Sequence, residues 1–230
     1  MTLKAILFDA GNTLVFLDYP RLAAEVGAAV GVRITGAHLV AQAGPAALAL
    51  ERGESSDHER ATAYLEMLFL LAGVPEAALP VVRDTLLTLH RERHLWGGTE
   101  PGTGSTLDRL RAAGYRLAVV SNSDGRAEEA LNAAQILDRF EFVVDSALVG
   151  FEKPDPRIFR YALRRLGIAP SEALYVGDIY EVDVIGARRA GMEVVLLDQL
   201  GIHAGKDVVS AQSLAELAER VLKGWSGDGR

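Results

Sequence analysis

Asp9, Ser121, Lys153 and Asp178, with Asn122 and Asp183 close to two of them, are the residues of this 230-residue chain whose types and spacing suit chemistry at one site. Two carboxylates, Asp9 and Asp178, offer hard anionic oxygens of the kind that hold Mg²⁺ with few protein ligands and leave room for water and a phosphate. Buried together without a cation they repel, and one takes up a proton, so a metal or the Lys153 ammonium has to lie near them. Ser121, Asn122 and the backbone N–H groups of the Gly11-Asn12 turn can hydrogen-bond phosphoryl oxygens. Asn12 and Thr13 are assigned to the phosphate with them. Lys153 can neutralise a nucleophile and an anion together. The chain has four lysines against twenty arginines, and a compact ammonium on that background suggests a point-charge role.

Strand ends are what position these groups. The apolar run Ala5-Ile6-Leu7-Phe8 drives into Asp9-Ala10-Gly11-Asn12-Thr13, which predicts a central strand over Lys4 to Asp9 and a turn at Gly11-Asn12. After the boundary Gly97 to Gly102, strands and helices alternate. Strands are expected over Arg116 to Val120, Phe140 to Val144, Ala173 to Val176 and Glu193 to Leu197. Helices are expected over Thr103 to Ala113, from Gly125 to about Ile136, and over Pro156 to Leu166, Val182 to Ala190 and Ser213 to Leu222. That alternation implies a parallel sheet, and ligands of such sheets bind at the carboxyl edge. Ser121-Asn122, Lys153 and Asp178 then join Asp9 at one rim.

Between Tyr19 and Trp96 the pattern is helical, with no convincing strand and with breaks at Gly31, Gly36, Gly44-Pro45, Gly53 to Asp57 and Gly73 to Pro75. Helices are expected over Arg21 to Val26, His38 to Leu50, His58 to Leu71 and Ala77 to Leu95. About eighty residues exceed an ordinary crossover, so the expectation is a helical cap over 16–98 on a core of 1–15 and 99–230. Residues 225–230 read as a frayed tail.

The net charge of −7 with pI near 5.3 argues against nucleic acid or an anionic membrane as partner, so a small anionic substrate needs local positive groups or a metal. The absence of cysteine, of a signal-type N-terminus and of any apolar run longer than Met67 to Val74 fits a soluble, cytoplasmic protein.

Four stretches in order carry a resemblance: Phe8-Asp9-Ala10-Gly11-Asn12-Thr13-Leu14, Val120-Ser121-Asn122, Gly150-Phe151-Glu152-Lys153-Pro154-Asp155-Pro156 and Val176-Gly177-Asp178 with Asp183. The chain resembles the haloacid dehalogenase superfamily with a helical cap inserted after the first motif, over essentially its whole length. The resemblance implies a Rossmann-like sheet and a Mg²⁺-dependent phosphatase of a small phosphorylated metabolite acting through an aspartyl phosphate. It casts Asp9 as nucleophile and Ser121 and Lys153 as phosphate and charge anchors. Asp178 and the Gly11 carbonyl join Asp9 as Mg²⁺ ligands, with Asp183 supporting them.

The chain departs from the family's phosphatases at Gly11, where they carry a second aspartate as general acid and base. Losing such a group costs about 10²–10⁴ in rate. One explanation is an acid/base group from the cap, with Asp18, Glu25, Glu51 and Glu54 as candidates, or a leaving group that needs little protonation. A second is a 2-haloacid dehalogenase, which needs no such proton, although the acidic Gly177-Asp178 implies a metal that C–halogen displacement does not require. A third is a phosphonate hydrolase with a cap lysine, but residues 15–98 contain no lysine. The fourth is a protein that binds a phosphorylated ligand or partner without turnover. Two further signals read as structural. His90 and His94 lie four apart on a helix flanked by Arg91 and Arg93, and Gly102-Thr103-Gly104 reads as a boundary turn.

Overall fold

The computed structural model describes residues 2–50 and 57–225. The chain divides into two compact units, 1–16 with 97–230, and 17–96. In chain order the first strands are β1 (Ala5–Phe8) and β2 (Phe16–Leu17). The helices α1 (Tyr19–Val30), α2 (Gly36–Leu50), α3 (Asp57–Leu71) and α4 (Leu79–Glu92) follow. Next come β3 (Trp96–Gly98), α5 (Thr103–Ala112), β4 (Arg116–Ser121), α6 (Ala127–Ala133) and β5 (Val143–Asp145). Then follow α7 (Ser146–Val149), α8 (Pro156–Leu166), β6 (Ala173–Gly177) and α9 (Ile185–Ala190). β7 (Glu193–Leu197), β8 (Val209–Ala211) and α10 (Leu214–Leu222) complete the order.

The main sheet has the order β5-β4-β1-β6-β7-β8, every pairing parallel, while β2 and β3 form a separate two-stranded sheet. This is the parallel core that the alternating pattern predicts, Rossmann-like as the resemblance implies. β1 lies inside the sheet with all four side chains buried, as a strand covered on both faces must be. Phe8 is in register with Val119 of β4 and Val176 of β6, so the chain leaves all three strands at nearly the same level. Asp9, Ser121 and Asp178 follow from that register.

Helix α8 shows how the sheet is covered. Asp155 caps it by accepting the Arg157 N–H, Pro156 opens it, and Gly167 ends it in the left-handed conformation at φ 66°. Ile158, Phe159, Ala162, Leu163 and Leu166 form its buried stripe and join Leu7, Val120, Tyr175 and Leu196 in one core cluster. Each such large apolar side chain contributes about 1.5–3 kcal/mol on burial.

The unit 17–96 has its own apolar core, including Leu22, Val26, Leu39, Leu68, Phe69, Val82 and Leu86. It is the inserted helical region that the pattern predicts, with three differences. Pro45 lies inside α2 rather than at a break, because the flanking Leu39, Ala43 and Ala46 are buried and that packing outweighs the missing N–H. The last expected helix starts as a 3₁₀ turn over Glu76–Ala78 and ends at Glu92. β2 and β3 add short strands where none was expected. In the sheet unit, the strand expected over 140–144 is β5 at Val143–Asp145, and β8 was not foreseen. No described helix is long and apolar enough to cross a membrane.

Candidate active site

Asp9 leaves β1 in a tight turn. The Ala10 carbonyl accepts from the N–H groups of Leu14 and Val15, both at 2.9 Å, and Asn12 sits at φ 53°. Asparagine tolerates that left-handed conformation better than most residues, which explains its place beside Gly11. Asp9 and Thr13 are buried, and the Thr13 Oγ1 is shielded from solvent with no hydrogen-bond partner.

Lys153 is 2% exposed, and its ammonium meets three groups. Nζ donates to Asp9 Oδ1 at 2.5 Å, to Asp183 Oδ1 at 2.8 Å and to the Tyr175 hydroxyl at 3.0 Å. These use all three N–H groups of the ammonium. The Tyr175 hydroxyl has the Val120 carbonyl at 3.0 Å and Asp183 Oδ1 at 3.1 Å as acceptors for its single proton. Burial works against the charge on Lys153, yet Asp183 and Asp9 outweigh it and hold its pKa well above the ordinary lysine value. Burial also pushes the Tyr175 hydroxyl well above its usual range.

Asn122 turns its side chain to the lysine's backbone. Its Oδ1 accepts the Lys153 N–H at 2.7 Å and its Nδ2 donates to the Lys153 carbonyl at 2.9 Å. A buried loop has peptide groups that no sheet or helix satisfies, and one amide side chain here satisfies both. Asn122, expected at a phosphate, therefore has both ends of its amide engaged by backbone. Ser121 is buried at the end of β4, its Oγ donating to the Asn122 carbonyl at 3.3 Å. Asp145 secures the same loop by accepting from the N–H groups of Gly125, Ala127 and Ala147, each at 3.1 Å.

On the other side of β1, Gly177 ends β6, and a Cβ there would lie 2.3 Å from Asp183 Cγ. Glycine lets the Asp183 carboxylate pack against the strand, where its Oδ2 accepts the Ile179 N–H at 2.9 Å. Asp183 belongs to a π-helical turn over Tyr180–Val184, which replaces the first turn of the helix expected from 182. Asp178 is half-buried, and its Oδ1 is shielded from solvent with no hydrogen-bond partner.

Asp9, Asp178 and Asp183 bring carboxylate oxygens within 4.8 Å of one another. One ammonium faces three carboxylates, so negative charge is in excess. Burial pushes the Asp9 carboxyl up to about 7; the Lys153 ammonium pulls it down and Asp183 pushes it further up. Burial, then Asp9 and Asp183, drive Asp178 well above the usual carboxylate range. A hard divalent cation fits this donor set, since it would relieve the repulsion and give the Asp178 Oδ1 a partner.

Of the cap carboxylates, Asp18 is engaged within its own unit: it accepts the Arg21 N–H at 3.2 Å as the cap of α1 and pairs with Arg93 at 2.6 Å. Glu25 is exposed on α1, and Glu51 and Glu54 lie outside the described residues. Sequence reasoning missed Tyr175, although a tyrosine inside a fully buried strand signals a hydroxyl in need of a partner.

Residues 3–191 match the model of the haloacid dehalogenase-like hydrolase family. The chain belongs to this hydrolase family. Its inserted helical unit is the C1-type cap of these hydrolases, and their parallel core is the sheet described above. A glyceraldehyde 3-phosphate phosphatase of Methanopyrus kandleri is 35% identical over 202 residues, covering 84% of this chain and 83% of that protein. The mouse haloacid dehalogenase-like hydrolase domain-containing protein 3 is 43% identical over 130 residues, covering 56% of this chain and 51% of that protein. The chain spans about half the length of several curated relatives it matches. The crystal structure of a HAD phosphatase from Thermococcus onnurineus superposes with a TM-score of 0.61 at 26% identity, covering 96% of this chain and 98% of that one.

Proposed function

We propose that this hydrolase is a Mg²⁺-dependent phosphatase of a small phosphorylated metabolite, with Asp9 as nucleophile and an aspartyl phosphate as intermediate. The observation that carries the reading is the unpartnered, shielded Oδ1 of Asp178 beside the Asp9 carboxylate, in a cluster with one lysine for three acids. Asp9, Asp178 and the Gly11 carbonyl would hold Mg²⁺, whose charge would draw a phosphoryl group to the rim and stabilise it there. The phosphatase relatives support a phosphate ester as substrate.

Asp9 Oδ1 is engaged by Lys153, which orients the carboxylate and leaves Oδ2 to attack phosphorus. The P–O bond to the leaving group breaks as the Asp9–phosphorus bond forms, the departing oxygen taking its proton from water, and water then hydrolyses the aspartyl phosphate, regenerating the carboxylate and releasing phosphate. Lys153 offsets negative charge on Asp9 and on the phosphoryl oxygens, while Ser121, Asn12 and Thr13 bind those oxygens. The Thr13 Oγ1, buried without a partner, supports that role. Positioning and charge neutralisation supply most of the rate in such transfers. The helical insertion, 16–98, serves as the cap that selects the substrate.

Gly11 favours a second reading, in which the chain binds a phosphorylated ligand and the aspartyl phosphate persists for want of a general base. A panel of phosphate esters assayed with Mg²⁺ and with a chelator, alongside Asp9→Asn, decides between them. The phosphatase releases phosphate continuously with Mg²⁺, and Asp9→Asn loses at least about 10⁴-fold in turnover while remaining folded. Stoichiometric labelling of Asp9 without turnover establishes the second reading. Halide release from a 2-haloacid without metal overturns both.

A further inference from the structure

We propose that His203, which lies in none of the four motifs, is a positioning residue for Asp178 and thereby sets the affinity of the rim for its divalent cation. The metal part of this inference rests on the phosphatase reading; the positioning part does not.

The argument starts from the peptide that joins Asp178 to Ile179. The Asp178 Oδ1 has no hydrogen-bond partner, so the placement of that oxygen leans on the backbone that carries the side chain. The N–H end of this peptide is fixed by Asp183, whose Oδ2 accepts from Ile179 at 2.9 Å. Its carbonyl end is fixed by His203, whose Nε2 lies 3.2 Å from the Asp178 oxygen. A carbonyl only accepts, so Nε2 carries the proton. Asp183 and His203 thus hold one peptide unit at its two polar ends, which fastens the backbone from which the Asp178 side chain projects.

The loop that presents His203 is itself braced. Asp198, at the end of β7, accepts the Ile202 N–H on Oδ1 at 2.9 Å and the His203 N–H on Oδ2 at 3.1 Å. The Asp198 N–H is paired in turn with the Ala211 carbonyl of β8 at 2.9 Å. Further along, Lys206 Nζ lies 4.7 Å from the centre of the Tyr180 ring and 3.6 Å from Glu181, on the turn that carries Asp183. Arg188 donates to the Asp207 carbonyl at 2.5 Å. The strand-end acid Asp198, the histidine and the lysine together fasten the segment after β7 onto the segment after β6. Supporting contacts of this kind typically change metal affinity by about 10–100-fold when removed.

The test uses two full-length variants. His203→Leu keeps the bulk and removes the donor; His203→Gln keeps an N–H at similar reach. Mg²⁺ titration by calorimetry is expected to show about a tenfold weaker Kd for His203→Leu and a value within about threefold of wild type for His203→Gln. Amide hydrogen exchange in chelator is expected to rise about tenfold or more over residues 178–183 in the leucine variant alone. Equal affinities in wild type and His203→Leu, equal loss in both variants, or exchange that rises evenly across the sheet unit overturns the inference. Should wild type bind no Mg²⁺, the phosphatase reading loses its metal, while local exchange over 178–183 still decides the role of His203: faster in the leucine variant supports it, unchanged overturns it.

Discussion

The interior of the sheet unit and the interior of the helical unit are built on opposite terms. At the carboxyl edge of the sheet, Asp9, Ser121, Asp145, Lys153 and Asp183 are buried and joined through hydrogen bonds to one another or to backbone. Among the described residues of the helical unit, His94 is the one buried polar residue, and charge pairs such as Arg93–Asp18 and Arg83–Glu66 lie toward the surface. Burying charge is costly unless every partner is in place, whereas an apolar core tolerates exchange of side chains of similar volume. The first interior is constrained by chemistry and the second by packing. An interior held mainly by packing is free to exchange side chains of similar volume.

The largest expected contrast comes from removing one cation in each unit. Lys153→Met leaves Asp9 and Asp183 buried without their partner and is expected to cost about 3–5 kcal/mol of stability, with loss of turnover. Arg93→Met, on a side chain 55% exposed, is expected to cost no more than about 1 kcal/mol. Chemical denaturation of both variants checks the pair, and similar losses would erase the distinction. Leu68→Ala comes next. Leu68 is fully buried in the helical core, and its truncation is expected to cost about 2–5 kcal/mol while the kcat of the folded fraction stays within a few-fold of wild type. Denaturation paired with single-turnover kinetics reads both effects.

The last expected effect depends on pH. Asp9 has a carboxyl raised from 3.8 to about 7, so its contribution to stability is present below the unfolded value and is lost as pH rises through about 7. Asp178, shifted in the same direction, adds to this. Chelated protein is therefore expected to become less stable between about pH 4 and 8, by at most about 4 kcal/mol from Asp9. Mg²⁺ should flatten the profile. Melting curves across that range with and without Mg²⁺ measure it, and a flat profile in chelator would show that the acids are not in excess.

The strands bearing the site were legible because each is a short apolar run that ends abruptly in a polar residue, and the parallel order then brings those ends to one edge. Asp9, Lys153, Asp178 and Asp183 converge for that reason. Asn122 was not legible in the same way. Residue type cannot tell whether an amide faces a ligand or the backbone of a segment thirty-one positions along the chain. β8 escaped notice because three residues between turns carry too little alternation to register as a strand. His203 escaped because its role depends on a loop folded back by Asp198, a contact with no periodic signature. The Gly44-Pro45 pair read as a break within the helix expected over His38 to Leu50, and the helix holds because burial along α2 outweighs the local punctuation.

Gly177 carries a consequence for anyone mapping this protein by saturation mutagenesis. A methyl group there would displace the Asp183 carboxylate, and with it a partner of Lys153 and the anchor of the Ile179 N–H. Even alanine is expected to score as a loss-of-function allele, and no larger residue can do better. Tolerance to substitution at this position will therefore look like that of a reacting group, although the glycine contributes no atom to the reaction.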